Sequence, residues 1–241
     1  MPRPSCGAIF ALMQRRGWER TVPWDVRDVA LGIVCAAVGV IAVGALTYLL
    51  DVLGVDVGVS GVASTAILGC VLVGVSLYLG PGRHKASPET LGMRLIVTRG
   101  QLLLAVAVLL GTLGLSELYA LVVGALGWEH MMPPDLPGEL DLKGVAYFFA
   151  VPVIALWAPF SEELFFRAFL FAGLAGRLGA GGAMLASSAL FGVAHADFGA
   201  MIPAFLAGFL LVWLYWRTGS LWPCLLVHAT QNAIALAVSG L

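Results

Sequence analysis

The sequence predicts an all-α fold, a polytopic transmembrane helical bundle with about seven membrane-spanning helices. Two observations carry this prediction. Hydrophobic residues make up 60% of the 241 residues and charged residues only 11%, whereas soluble domains average about 45–50% apolar and about 25% charged residues. The apolar residues also form long uninterrupted runs, several of them near the roughly 20 residues that an α-helix needs to cross a bilayer. Lipid is therefore the expected surroundings of most of the surface.

Seven apolar runs are candidate spans. In chain order they are Val29–Leu50, Gly61–Leu79, Leu102–Leu126, Val145–Ala175, Gly182–Ala196, Met201–Trp216 and Leu221–Val238. The first has no small-residue cleavage pattern behind it, so we expect it to remain as an anchor helix. The fourth is long and is interrupted by Pro152 and Pro159, and the fifth is short.

The loops between these runs alternate in charge. Basic residues occupy the N-terminal tail, with five arginines, and every second loop after it, at Arg83, Lys85, Arg94, Arg99, Arg177 and Arg217. The other loops are mainly acidic, at Asp51, Asp56, Glu129, Asp135, Glu139, Asp141 and Asp197. Since positive loops prefer the cytoplasm, this pattern predicts a multi-pass cell-membrane protein with a cytoplasmic N-terminus. The net charge of −1 argues against a nucleic-acid partner.

We divide the chain into three parts. Residues 1–28 form a basic N-terminal segment that is cytoplasmic or interfacial, residues 29–144 hold the first transmembrane helices, and residues 145–241 form a transmembrane core. Polar residues of interest concentrate in the third part. The tetrapeptide Gly58-Val59-Ser60-Gly61, which spells the GxSG of serine-type intramembrane proteases, precedes the second run and is interpreted as a turn.

Three charged residues interrupt the fourth apolar run. Glu162, Glu163 and Arg167 stand among Leu, Phe and Ala, although a charge at the bilayer centre costs at least about 2.5–3.5 kcal/mol. Glu163 and Arg167 are four residues apart and share a helix face, so they can neutralise each other. Glu162 points about 100° away on an α-helix and lacks that partner. The spacing predicts one structural carboxylate and one that is free to act.

Polar side chains also occur near the end of the fifth run, at His195, and in the seventh, at His228 and Asn232. A carboxylate and an imidazole can hold a water and remove its proton, while a second imidazole and an amide can donate hydrogen bonds to an oxyanion. Alternatively, Glu162, His195 and His228 could bind Zn²⁺, with water as the fourth ligand. Core histidines and a buried ion pair would also account for these residues, so the residue types alone leave all three possibilities open.

The three segments resemble the signatures of one family. Glu162-Glu163-x-x-x-Arg167 is similar to its EExxxR motif, Phe191-x-x-x-His195 to its FxxxH motif and His228-x-x-x-Asn232 to its third motif. This is the CAAX-protease and bacteriocin-processing (CPBP) family, the group of the type II CAAX prenyl endopeptidases. The resemblance covers about residues 145–238, and all three motifs in order are far more specific than any one of them.

The resemblance implies an all-α intramembrane bundle that cleaves peptide bonds. It implies that Glu162, helped by His195, activates water, that His228 and Asn232 stabilise the oxyanion, and that Glu163 and Arg167 support them. No cofactor is required for this chemistry. Zinc is the alternative, although two histidines without an HExxH helix make a poor zinc site.

The function predicted from the sequence is therefore an intramembrane endopeptidase that acts on membrane-associated proteins or peptides. Its partners would be such a substrate and the lipid bilayer. The alternative is a non-catalytic membrane scaffold or partner-binding protein of the same fold. A proton-coupled transporter fits less well, because no pair of broken helices occurs in corresponding halves of the chain. The position of His228, not far from the basic loop at Arg217, favours access of water from the cytoplasmic side.

Overall fold

The computed structural model describes residues 22–93, 97–133 and 145–238. Helices are the regular structure throughout these residues, which confirms the predicted all-α class. The α-helices are α1 (Val26–Val52), α2 (Val57–Leu77), α3 (Arg99–Ala125), α4 (Val145–Pro152), α5 (Ala158–Glu162), α6 (Ala172–Ala194), α7 (Phe198–Thr218) and α8 (Leu221–Val238). Three π-helical segments, Tyr78–Gly82, Val153–Trp157 and Glu163–Phe171, and two 3₁₀ turns, Pro88–Leu91 and Glu129–Met131, complete the fold. The basic tail before residue 22, Arg94 and the acidic positions between 135 and 141 lie outside the described residues.

Six helices among the described residues are long and apolar enough to cross a membrane, against about seven predicted. The difference lies in the fourth and fifth predicted spans, which are joined in one helical element of 47 residues, Phe148–Ala194. This element folds back at Gly179, whose φ of 67° and ψ of 167° are not helical. The Ser187 hydroxyl donates a hydrogen bond to the Phe166 carbonyl across the bend, at 2.8 Å. The two predicted spans are thus the two arms of one hairpin.

Most helices begin a few residues earlier than the apolar runs, because polar caps start them. Asp25 and Asp28 form a capping box at α1, and Thr98 and Gln101 form one at α3. The interpretation of residues 58–61 as a turn is wrong, since α2 already begins at Val57. Ser60 is buried, and its hydroxyl donates to Asp51 at 3.1 Å and to the Val57 carbonyl at 3.0 Å.

The basic and acidic loops gather at opposite ends of the bundle. At the basic end, Arg83 pairs with Asp28 at 3.3 Å, and the Gln101 amide donates to the Thr218 carbonyl at 3.2 Å. Far along α3 from that end, the Tyr119 hydroxyl donates to the Met131 carbonyl at 2.8 Å. Loops predicted to share a side of the membrane therefore do share an end of the fold. Which end faces the cytoplasm stays a prediction.

The centre of the core is the π-helical segment Glu163–Phe171, in which every residue is buried. The other helices surround it, and the outer face of α1 exposes apolar side chains such as Val38 and Ile41. Exposed apolar surface of this kind suits contact with lipid. The polar residues of interest thus lie on the most enclosed element of the molecule.

Candidate active site

Two prolines shape the helix that leads to the glutamates. Pro152 and Pro159 have no backbone N–H, and between them the chain forms a π-helical segment, with the Ala158 N–H bonded to the Val153 carbonyl. The next carbonyl, Ile154, would take its π-type bond from residue 159, which is a proline. Asn232 takes that place, because its side-chain amide donates to the Ile154 carbonyl at 2.9 Å. This bond fixes α8 against the helix of the glutamates.

Glu163 and Arg167 form the predicted ion pair. Glu163 Oε1 lies 3.1 Å from Arg167 Nη1, and both side chains are almost fully buried. The guanidinium carbon of Arg167 also lies 4.1 Å from the centre of the Phe191 ring, a close cation–π distance. Glu163 Oε2 and Arg167 Nε find no hydrogen-bond partner among the described residues. The pair therefore neutralises its charges without satisfying all of its polar atoms.

His228 lies between the two glutamates. Its Nδ1 is 2.8 Å from Glu163 Oε1. An ionised carboxylate only accepts hydrogen bonds, so this contact assigns the proton to Nδ1. On the other side of the ring, Nε2 is 3.7 Å from Glu162 Oε2, which is longer than a hydrogen bond. Glu163 is thus held by Arg167 and His228, whereas the Glu162 side chain remains 29% exposed and is not held at hydrogen-bond distance by His228.

His195 caps the C-terminus of α6. Its Nδ1 lies 2.8 Å from the Phe191 carbonyl oxygen. Because that oxygen can only accept, Nδ1 carries the proton and Nε2 presents a lone pair in the neutral ring. The Phe191 ring contacts both histidines edge-on, with centroids 4.9 Å from His195 and 5.8 Å from His228. The FxxxH spacing thus places an aromatic ring between the two imidazoles and the arginine.

A pocket of about 290 Å³ brings His195, His228 and Asn232 together. The rest of its lining is mainly apolar, with two further polar side chains: Ser116, Pro133, Phe191, Ala200, Pro203, Ala204, Ala207, Leu211 and Gln231. Glu162 is not part of this lining and forms its ion pair with His228 rather than with His195. The structure thus unites three of the four predicted catalytic residues in one pocket. Glu162 lies outside the lining of this pocket, 3.7 Å from His228.

The predicted approach of water from the basic side does not match the position of this pocket. Ser116 lies in the second half of α3, Pro133 follows the 3₁₀ turn Glu129–Met131, and Ala200 lies in the first turn of α7. These residues belong to the half of the bundle at the acidic end. The reason is the fold-back at Gly179, which places His195 at the far end of its arm.

The described residues do not assemble the alternative zinc site. No group of three His, Cys, Asp or Glu side chains among them is arranged to hold a metal ion. Glu162, His195 and His228 would all be needed, and only the contact between Glu162 and His228 is present.

Sequence reasoning missed three contacts of the site. The contact of the Phe191 ring with Arg167, the bond of Asn232 to the Ile154 carbonyl and the contact of Glu163 with His228 emerge only from the tertiary arrangement. The sequence carried one signal for the bond to the Ile154 carbonyl, because a proline always leaves an upstream carbonyl without its helical donor.

Comparison with known proteins finds similarity in the region that holds this site. The family model of the Rce1-like type II CAAX prenyl endopeptidases matches residues 144–234, which hold every predicted site residue. Among curated proteins, the UPF0177 protein YxdF of Lactococcus lactis subsp. lactis (strain IL1403) is 28% identical over 99 residues, 41% of this chain. That alignment spans 51% of the relative, about half of its length. No solved structure matches the chain significantly. The part of the chain that carries the site, residues 144–234, is therefore similar in sequence to the Rce1-like type II CAAX prenyl endopeptidases.

Proposed function

We propose that the protein is an intramembrane endopeptidase that hydrolyses peptide bonds of membrane-associated proteins or peptides by means of a water activated by Glu162. One observation supports this above the others. Glu163 is committed to Arg167 and His228, while its neighbour Glu162 is partly exposed and 3.7 Å from the same imidazole. A partly exposed carboxylate that His228 does not hold at hydrogen-bond distance is suited to take a proton from water.

In the proposed reaction, Glu162 accepts a proton from a water molecule while the water oxygen bonds to the scissile carbonyl carbon. His195 Nε2, whose lone pair is exposed by the bond of Nδ1 to Phe191, helps to orient that water. The carbonyl π electrons move to the oxygen and give a tetrahedral oxyanion. When this intermediate collapses, the C–N bond breaks, and Glu162 returns the proton to the leaving nitrogen.

His228 and Asn232 are the proposed donors to the oxyanion. Donation from His228 Nε2 requires the protonated ring, since Nδ1 already donates to Glu163. Arg167 and the protonated imidazole then balance the two glutamates. Asn232 has a second amide N–H besides the one bonded to Ile154, and it lines the same pocket as both histidines. Donors fixed in advance in this way stabilise developing charge without reorganisation.

The setting of the proposed enzyme is the cell membrane, with the N-terminus in the cytoplasm. Its partners are the bilayer and a peptide or membrane-protein substrate, and no nucleic acid. The supporting observation is the alternation of basic and acidic ends described above.

Glu162→Gln is the direct test. Wild type and variant would be purified in detergent and incubated with a quenched-fluorescence peptide library, with metal content measured on the same samples. We expect cleavage by wild type and a loss of about 100- to 10,000-fold in the variant. Glu129→Gln, which removes an exposed glutamate outside the site, is the matched control and should cleave normally. Equal cleavage by wild type and Glu162→Gln would refute the role of Glu162.

A second candidate is a non-catalytic scaffold, favoured by the buried contacts that join Glu163, Arg167 and His228. In a scaffold these residues would serve only packing. Glu162→Gln and His195→Ala would then leave the biological role intact, whereas Arg167→Ala would abolish it through misfolding. Loss of the role in Glu162→Gln at unchanged thermal stability would exclude the scaffold.

A further inference from the structure

A larger cavity lies at the basic end of the bundle, away from the catalytic pocket. Its volume is about 970 Å³. It is bounded by the start of α1, by the junction of the segment Glu163–Phe171 with α6, and by the end of α7. None of its lining residues belongs to the catalytic pocket. The proposed proteolysis gives this cavity no role.

Two exposed arginines line the cavity. Arg27 and Arg177 are both exposed and line the cavity, and neither forms an ion pair with any described residue. Other arginines at this end have side-chain contacts: Arg83 pairs with Asp28, and Arg217 lies 5.9 Å from the Trp216 ring centre. The cavity thus presents two guanidinium groups that form no ion pair among the described residues, and guanidinium is well suited to bind a phosphate.

The lining also contains a carboxylate, Asp25, which is committed to its own helix. Its Oδ1 accepts the backbone N–H of Arg27 at 2.8 Å and that of Asp28 at 3.4 Å. The bond from the Arg27 N–H is the main reason why the pKa of Asp25 lies below its usual value. Asp25 therefore stays ionised as a helix cap, and the two arginines leave the cavity with an excess of one positive charge.

The floor of the cavity is aromatic and apolar. Trp24 is buried, and its indole N–H donates to the Phe169 carbonyl at 2.9 Å, which fixes the ring. Trp216, half-buried, lines the same cavity. Tryptophans are enriched where a bilayer meets water. Arginines at the mouth and tryptophans below them match an amphiphile with an anionic head and apolar chains.

We propose that this cavity binds an anionic phospholipid of the surrounding membrane. Arg27 and Arg177 contact the headgroup phosphate, and Trp24 and Trp216 pack against the glycerol and the first carbons of the acyl chains. Basic pockets between transmembrane helices recognise anionic headgroups through this chemistry. The site is independent of the catalytic proposal, because no residue is shared between them.

Native mass spectrometry of the full chain in detergent tests the proposal. The protein would be titrated separately with phosphatidylglycerol, with phosphatidylcholine and with inorganic phosphate. We expect wild type to retain phosphatidylglycerol in preference to phosphatidylcholine, and Arg27→Gln/Arg177→Gln to weaken that binding by about 30-fold, since each arginine contributes about fivefold near an anionic surface. Lys85→Gln/Arg99→Gln removes the same charge from the same end outside the cavity and should bind like wild type.

Gly176→Trp provides a second variant that keeps both arginines. A side chain at Gly176 would meet nothing within 4 Å at its first carbon, so the indole can enter the cavity without a clash at its root. We expect it to exclude the lipid while the unfolding midpoint in lipid-free detergent stays unchanged. Full binding by both the arginine variant and Gly176→Trp, or an equal loss in the Lys85/Arg99 control, would overturn the proposal. Displacement of the lipid by millimolar inorganic phosphate would overturn the lipid assignment in favour of a free phosphate ion.

Discussion

The first three helices and the C-terminal region enclose very different polar groups. In α1 to α3 the buried polar side chains are mostly hydroxyls, such as Ser76 and Thr112, which donate to carbonyls of their own helices. Between residues 148 and 238 the interior holds a carboxylate, a guanidinium and an imidazole. Hydroxyls cost little in such surroundings, whereas buried charges are costly and need partners. The charged groups on which the proposed reaction depends therefore lie in the second region.

The largest expected effect separates the two glutamates. Glu162→Gln should lower kcat/KM by about 100- to 10,000-fold because the proton acceptor is lost. Its unfolding midpoint should stay at the wild-type value, because Glu162 makes no hydrogen bond to His228. Glu163→Gln should lower both activity and stability, since its carboxylate holds Arg167 and His228. Peptide cleavage and thermal unfolding in detergent measure the two effects. A Glu162→Gln variant that unfolds as readily as Glu163→Gln would erase the distinction.

Removal of the buried arginine should be nearly as severe. Arg167→Met leaves the fully buried Glu163 without its ion-pair partner, which costs about 3–5 kcal/mol of unfolding free energy. The double variant Glu163→Gln/Arg167→Met should recover much of that loss, because no uncompensated charge remains. Reversible unfolding in mixed micelles provides the values. A double variant no more stable than Arg167→Met would show that the arginine acts mainly through its contact with Phe191.

A smaller effect tests how the two regions join. A methyl group at Gly69 in α2 would clash with the indole nitrogen of Trp157, whose N–H donates to the Ala66 carbonyl. Gly69→Ala should therefore destabilise the protein by about 1–3 kcal/mol. Gly74→Ala in the same helix meets nothing within 4 Å and is the matched control. Similar unfolding midpoints for the two variants would mean that α2 shifts freely against the core.

The smallest effect lies within the first region. Thr47 and Ser64 form a hydroxyl hydrogen bond between α1 and α2. Ser64→Ala should cost only about 0.6 kcal/mol, the average for such bonds in membrane proteins. The same unfolding assay measures it. A loss as large as that of Arg167→Met would contradict the view that this region depends on packing rather than on buried polar contacts.

Much of the fold could be predicted from the sequence because lipid requires long apolar helices. The bundle and the pair of Glu163 with Arg167 depend on local periodicity, and both are confirmed. The number of spans differed because hydropathy alone cannot show that the fourth and fifth apolar runs form one helical element that folds back at Gly179. The helix starts differed because capping residues are polar and precede the apolar runs.

The site was predictable as a set of residues but not as an arrangement. Three motifs named Glu162, His195, His228 and Asn232, whose roles stay predictions. Their spacing gave no indication that His228 bonds to Glu163, or that Asn232 completes the backbone of another helix. The position of His228 near the basic loop also favoured the end of the bundle opposite to the one at which the pocket lies. Contacts between distant segments decide all three, and no local pattern encodes them.

The π-helical segment between Pro152 and Pro159 has a consequence for the register of the whole site. A π-helical turn holds more residues than an α-helical one, so Val153–Trp157 acts as an angular spacer ahead of the glutamates. If the same residues were wound as a continuous α-helix, the following helix would be turned by about 100° relative to the preceding one. Glu163 would then leave His228, and Glu162 would take a different direction, although the letters of the motif were unchanged. Which of the two glutamates faces His228 is therefore determined upstream of the motif, where Pro152 and Pro159 cannot donate backbone hydrogen bonds.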